Sequence, residues 1–133
     1  MVWSPLAGGL LADKAVDGKS APQGTRRATF DFPPVDRARL PRVLSALRTV
    51  SGQLGVSVAR VALAWHLTRP FVTSVIIGAK NKDQLADNLA ATEVELSADH
   101  RKLLDEASAL PPEYPGWMLD FQNREPRGTQ GKL

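Results

Sequence analysis

Cysteine is absent from this 133-residue sequence. Its absence excludes disulfides, thiolate zinc sites and cysteine nucleophiles together. It is compatible with a cytoplasmic location, which is the expectation. Long apolar runs are missing too. None reaches the about 18 residues that suggest a membrane span, and Arg, Lys or Pro breaks the longest candidates. The first residues hold no basic segment followed by an apolar core, so no signal peptide is legible. A strong excess of one charge is also lacking. The net charge is +3, and the basic residues are dispersed, as on a solvated surface. Neither a nucleic acid nor a membrane is expected as a partner. Histidine is limited to His66 and His100, and tyrosine to Tyr114. Neither histidine has a partner in the sequence that would make it a catalytic base.

What remains is a soluble-type composition with clear periodicity. Val2 and Trp3 read as the end of a strand. Pro5 and the Gly8-Gly9 pair then force a loop, because Pro restricts its predecessor and Gly permits positive φ. From Asp13 to Pro34 the composition of Gly, Pro, Ser, Thr and Arg predicts a long mobile loop. Leu40, Val43, Leu44, Leu47, Val50 and Leu54 recur at spacings of three and four, which predicts a helix from about Asp36 to Leu54. Pro41 falls in its first turns, where a missing N–H costs least. Gly55 suits its C-terminal stop. Ser57 is a good N-cap for a second helix over about Val58 to Thr68, apolar nearly all round and so expected to be buried. Val72 to Ile77 is short and β-branched, as in a buried parallel strand. Two more helices are expected, at about Lys82 to Ala91 and from Ser97 to about Leu110. Leu85 and Leu89 share one face of the former; Leu103, Leu104 and Ala107 point inward in the latter. Pro111-Pro112 stops the last helix. Tyr114, Trp117, Met118 and Phe121 anchor the start of the tail, and disorder is expected from about residue 119 to 133. The alternation of strands and helices is α/β. Two strands alone cannot cover a parallel sheet or satisfy its edges, so the expectation is part of a larger architecture, filling residues 1–118.

Two segments carry candidate chemistry. In the first, Ile76-Ile77-Gly78-Ala79-Lys80-Asn81 runs directly into a helix. Backbone N–H groups at a helix start attract phosphate, Gly78 permits close approach, and Lys80 supplies a point charge. Gln84 and Asn88, four apart, share a helix face and carry amides that can read an adenine edge. On spacing alone a plain strand, turn and helix is the stronger reading, because this is neither a P-loop nor GxGxxG. The second is Ser4-Pro5-Leu6-Ala7-Gly8-Gly9, a loop able to present successive amides to a pyrophosphate. An ordinary turn explains it as well. The two together point more firmly to a ligand, since parallel barrels bind at the C-terminal ends of their strands.

In order and spacing, several segments resemble aldo-keto reductases. They are Trp3 to Leu11, Leu54-Gly-Val-Ser57 with Val61 to Trp65, Thr73 to Lys80, Gln84 to Leu89, and Leu96-Ser97. The combination is specific, and it covers about Val2 to Leu110. The resemblance implies a (β/α)8 TIM-type barrel, of which this chain would hold only the C-terminal segment: the last two strands and their helices. It implies NADP(H) as cofactor. Ser4, Leu6, Gly8 and Gly9 match the loop over the pyrophosphate. Gly78, Lys80, Gln84 and Asn88 match the surroundings of the 2′-phosphate and adenine. Where Lys80 stands the family often has Arg, so the charge is kept and the bidentate fork is lost. Gly24 to Arg27 lies in a loop that closes over cofactor in this family; a solvated basic loop explains it equally. The family transfers hydride with an Asp, Tyr, Lys and His tetrad on earlier strands. None of those positions exists here, so the chain alone is expected to be inactive, and a small carbonyl substrate to require the missing segment.

Two other classes compete. A non-catalytic interaction protein would use exposed strand edges to self-associate or to complement a partner half-barrel. A helix-turn-helix module would use Leu40 to Leu67, but its second helix is too apolar for a recognition helix.

Overall fold

A computed structural model describes residues 1–13, 34–111, 115, 116 and 118. The expected mobile loop, including Gly24 to Arg27, lies outside the described residues but for its ends. So do Tyr114, Trp117, Phe121 and the tail beyond residue 118. Four α-helices organise the described part: α1 (Leu40–Leu54), α2 (Val58–Leu67), α3 (Lys82–Leu89) and α4 (Ala98–Ser108). Short 3-10 segments cover Ala7–Ala12 and Ala90–Glu93. No helix among the described residues is long and apolar enough to cross a membrane.

Helix α1 starts later than its periodicity suggests. The Asp36 carboxylate accepts from the Ala38 N–H at 2.9 Å and the Arg39 N–H at 3.3 Å, which makes a separate turn. Pro41 falls in the first turn of α1, where its missing N–H leaves no helix bond unmade. At the other end Gly55 takes φ 67° and donates its N–H to the Ser51 carbonyl. A Cβ there meets nothing within 4 Å, so the penalty of a substitution is conformational rather than steric. Gly55→Ala is expected to cost about 1 kcal/mol, read as a lower midpoint in urea unfolding.

The cap read at Ser57 holds, its Oγ accepting from the Arg60 N–H. The structure adds a reciprocal capping box between Ser97 and His100. The last helix stops at Ser108, two residues early. The carbonyls at its end are taken by arginines at the start of α1. Arg42 Nε donates to the Ala107 carbonyl at 2.9 Å, and Arg39 donates to the carbonyls of Ser108 and Ala109. Cations at a helix C-terminus also complement its dipole.

Helix α2 is the centre. It buries Val58, Ala59, Val61, Ala62, Leu63 and Ala64 against α1, α3 and both 3-10 segments. The main core joins Leu47, Val50, Val61, Leu96, Leu104 and Ala107. Leu10 packs separately with Leu40 and Leu44. Trp65 ties α2 to α4. Its Nε1–H donates to Asp105 Oδ1 at 2.7 Å, and Arg69 stacks 4.2 Å above its ring while pairing with the same carboxylate. The hydrogen bond from Arg69 holds the Asp105 carboxyl below its usual range.

Three expectations need correction. Leu103 is 37% exposed and Leu85 and Leu89 more so, so only Leu104 and Ala107 face inward on α4. The Lys82 helix ends at Leu89 and tightens into the 3-10 turn. The third concerns the sheet. Among the described residues the expected strands reduce to one parallel bridge, Val2 to Val75. The Val2 N–H donates to the Ser74 carbonyl and the Ile76 N–H to the Val2 carbonyl, both at 2.9 Å. A ladder needs consecutive pairings along both segments, and a single contact gives a bridge only.

Candidate functional site

Because the bridge is parallel, the chain leaves Val2 and Val75 in the same direction. The segment after Val2 and the segment after Val75 therefore emerge side by side. Between them lies a cleft of about 720 Å³. Ser4, Leu6, Gly8, Gly9, Gly78, Lys80, Gln84 and Asn88 all line it. The eight residues picked from two distant stretches of sequence thus share one cavity.

The first wall has an unusual backbone. Ser4, Ala7 and Asp13 adopt positive φ of 54°, 48° and 55°, and Gly8 and Gly9 follow at 66° and 97°. Left-handed backbone is cheap for the glycines and costly for the other three. Within the wall the Ala7 N–H donates to the Ser4 carbonyl, and the Gly9 N–H to the Leu6 carbonyl, both at 2.9 Å. Pro5, at its base, is buried.

The second wall is the turn into α3. Asn81 caps the helix, accepting from the Gln84 N–H at 2.9 Å. Gln84 Oε1 accepts from the Lys80 N–H at 3.0 Å. Asn88 is 7% exposed and donates from Nδ2 to the Gly78 carbonyl at 3.3 Å. The two amides thus shape the loop from Gly78 to Lys80, a part that sequence spacing does not reveal. A Cβ on Gly78 would meet nothing within 4 Å. That side of the loop is open, with room for a ligand.

Among the lining residues outside the expected eight, Ser57 and Asp87 carry polar side chains that bond each other. The Ser57 hydroxyl donates to Asp87 Oδ2 at 2.5 Å, and Arg60 pairs with Oδ1 at 2.8 Å. This cluster locks the start of α2 to α3. The spacing Gln84, Asp87, Asn88 on one helix was the available signal for Asp87. Ser57 offered none beyond its cap.

His66 also reaches the site. Its Nε2 lies 3.2 Å from the Pro5 carbonyl, and its ring meets Trp65 edge-on at 5.2 Å. Burial pushes its pKa below the usual value, the Pro5 bond opposes this, and Arg69 adds to the lowering. A histidine with a depressed folded pKa contributes stability that is present above its unfolded pKa and lost as pH falls through the folded one. Unfolding midpoints should therefore fall as pH drops below about 6.5, and His66→Gln should flatten that slope. An unchanged slope in the variant would remove His66 as its source.

Known proteins match this chain widely. The sequence pattern of the Aldo/keto reductase family matches residues 1–109. An uncharacterized oxidoreductase of Bacillus subtilis, YrpG, is 35% identical over 106 residues, covering 80% of this chain and 31% of the relative. An uncharacterized oxidoreductase of Mycobacterium tuberculosis is 36% identical over 126 residues, covering 94% and 38%. A probable voltage-gated potassium channel subunit beta of Oryza sativa is 35% identical over 96 residues, covering 69% and 29%. The chain therefore spans roughly a third of the length of these relatives, and within that span it belongs to the aldo/keto reductase family.

Proposed function

We propose that the cleft binds the phosphate and adenosine side of NADP(H), and that the chain serves an oxidoreductase acting on small carbonyl compounds or alcohols. The observation that carries this reading is the convergence of all eight expected residues on one cavity. The residues fit such a group. The cavity is large enough for part of a dinucleotide. The left-handed run through Gly8 and Gly9 leaves that stretch of wall without β-carbons, so a pyrophosphate can approach its backbone closely. Lys80 stands at the other wall beside the start of α3, where a 2′-phosphate gains both a cation and helix N–H groups. When bound, the cofactor supplies the hydride. The residues here bind and orient it.

The family fold is a (β/α)8 barrel. In this reading the chain is its C-terminal portion, residues 1–118, and the Asp, Tyr, Lys and His tetrad is carried by segments outside these 133 residues. Two measurements test it. Titration with NADPH, followed by cofactor fluorescence, should saturate, and NADH should bind more weakly. Absence of saturable NADPH binding would sink the cofactor assignment. NADPH oxidation with nitrobenzaldehyde should not exceed the blank; robust turnover would place the chemistry within this chain.

A second reading is self-association or half-barrel complementation. It draws on apolar surface near the bridge, where Trp3 is 57% and Ile76 48% exposed. Sedimentation showing a well-behaved compact monomer would count against it.

A further inference from the structure

We propose that His66 is a positioning residue, holding the Pro5 carbonyl from helix α2 and so setting the shape of the cleft wall from Ser4 to Gly9. The inference rests on the nucleotide reading for its consequence, but not for the contact itself. Three non-glycine residues with positive φ lie within the first 13 residues. Such backbone persists only where its surroundings over-determine it. The surroundings can be named. Val2 is held by the bridge to Val75, and Leu10 is buried with Leu40 and Leu44. Asp13 meets Arg48 through bonds of 2.5 and 3.0 Å, but Arg48 is exposed and Asp13 partly so, which weakens the pair.

Pro5 sits between the first two strained residues, Ser4 and Ala7. Proline has no backbone N–H, so its carbonyl is its sole backbone polar group, and that residue is buried. A buried carbonyl needs a donor. His66 Nε2, at 3.2 Å, is placed to supply one. Since a carbonyl only accepts, the imidazole must carry its proton on Nε2. The edge-on contact with Trp65 fixes the ring plane. Trp65 is itself held by Asp105 and Arg69. A chain of defined contacts therefore runs from α4 through Trp65 and His66 to the cleft wall. Pro5, Ser4 and Leu6 all line the cleft, so moving this carbonyl moves the wall.

The test uses the whole chain and two variants, His66→Gln and His66→Phe. Nitrogen-15 spectra of the native chain near neutral pH should show the proton on Nε2; a proton on Nδ1 alone overturns the proposal. Amide exchange is read at Ala7, Gly9 and Leu11, whose N–H groups bond within the wall. His66→Phe should speed exchange there about tenfold, the scale of one net hydrogen bond, while α1 and α4 keep their protection. His66→Gln should restore most of it. Unchanged wall exchange in His66→Phe overturns the proposal, and so does uniform acceleration through α1 and α4. NADPH affinity should fall with wall protection and recover in His66→Gln. If the native chain binds NADPH and His66→Phe binds it equally well, the wall is not positioned for the cofactor. If the native chain fails to bind NADPH, the cofactor reading fails, while exchange still decides whether His66 anchors the wall.

Discussion

Leu47→Ala is expected to destabilise the chain by about 3 kcal/mol, within the range for a leucine truncated in a closed core. Leu47 is 3% exposed and lies in the main cluster beside Val50, Val61 and Leu104. Its removal strips contacts where α1 meets both α2 and α4. Those helices cannot close the gap easily, because each is pinned elsewhere. Ser57, Arg60 and Asp87 lock α2 to α3, while Arg39 and Arg42 hold the end of α4. Domain stability is typically only about 5–15 kcal/mol, so the variant should lose a large share of it. Urea unfolding followed by tryptophan fluorescence measures the change. A loss below about 1 kcal/mol would mean that the helices do collapse into the space.

Lys80→Glu is expected to abolish preference for NADPH over NADH and to weaken NADPH binding by about a hundredfold or more. A hydrogen bond to a charged group contributes about 1.5–3 kcal/mol, and reversal adds repulsion from the phosphate. NADH lacks the 2′-phosphate and should be little affected. Lys80→Arg should keep or improve the preference, because guanidinium binds phosphate through two parallel bonds. Parallel titrations with both cofactors decide this. Equal weakening toward NADPH and NADH would show that Lys80 does not face the 2′-phosphate. Helix content by circular dichroism guards against a trivial loss, since Gln84 also bonds the Lys80 backbone.

Much of the local structure was legible because it is local. The run from Leu40 to Leu54 repeats at helical spacing, and Gly55 stops it through left-handed backbone. Ser57 caps the helix it precedes. Each of these depends on residues within about one turn. Asp36 shows where that reasoning falls short. Its carboxylate makes its own turn and delays α1 to Leu40. The strands were less legible for another reason. Val72 to Ile77 has strand composition, yet a ladder depends on partners distant in sequence, and only Val2 meets Val75 among the described residues. Leu103 looked inward by apolar character, but α4 turns Leu104 and Ala107 to the core instead.

By itself, the amino-acid sequence determined the helix boundaries to within a few residues and the absence of cysteine chemistry, which follow from periodicity, capping and residue type. The family, and the eight residues proposed for the site, came from resemblance along the chain. Tertiary structure alone decided that Ser4 to Gly9 and Gly78 to Asn88 face one cleft, because the parallel pairing of Val2 with Val75 joins segments 73 positions apart. It also turned Gln84 and Asn88 onto the backbone of their own loop, and set His66 beneath Pro5. The meeting of the two walls and the place of His66 depend on packing between elements distant in sequence, and no local pattern records it.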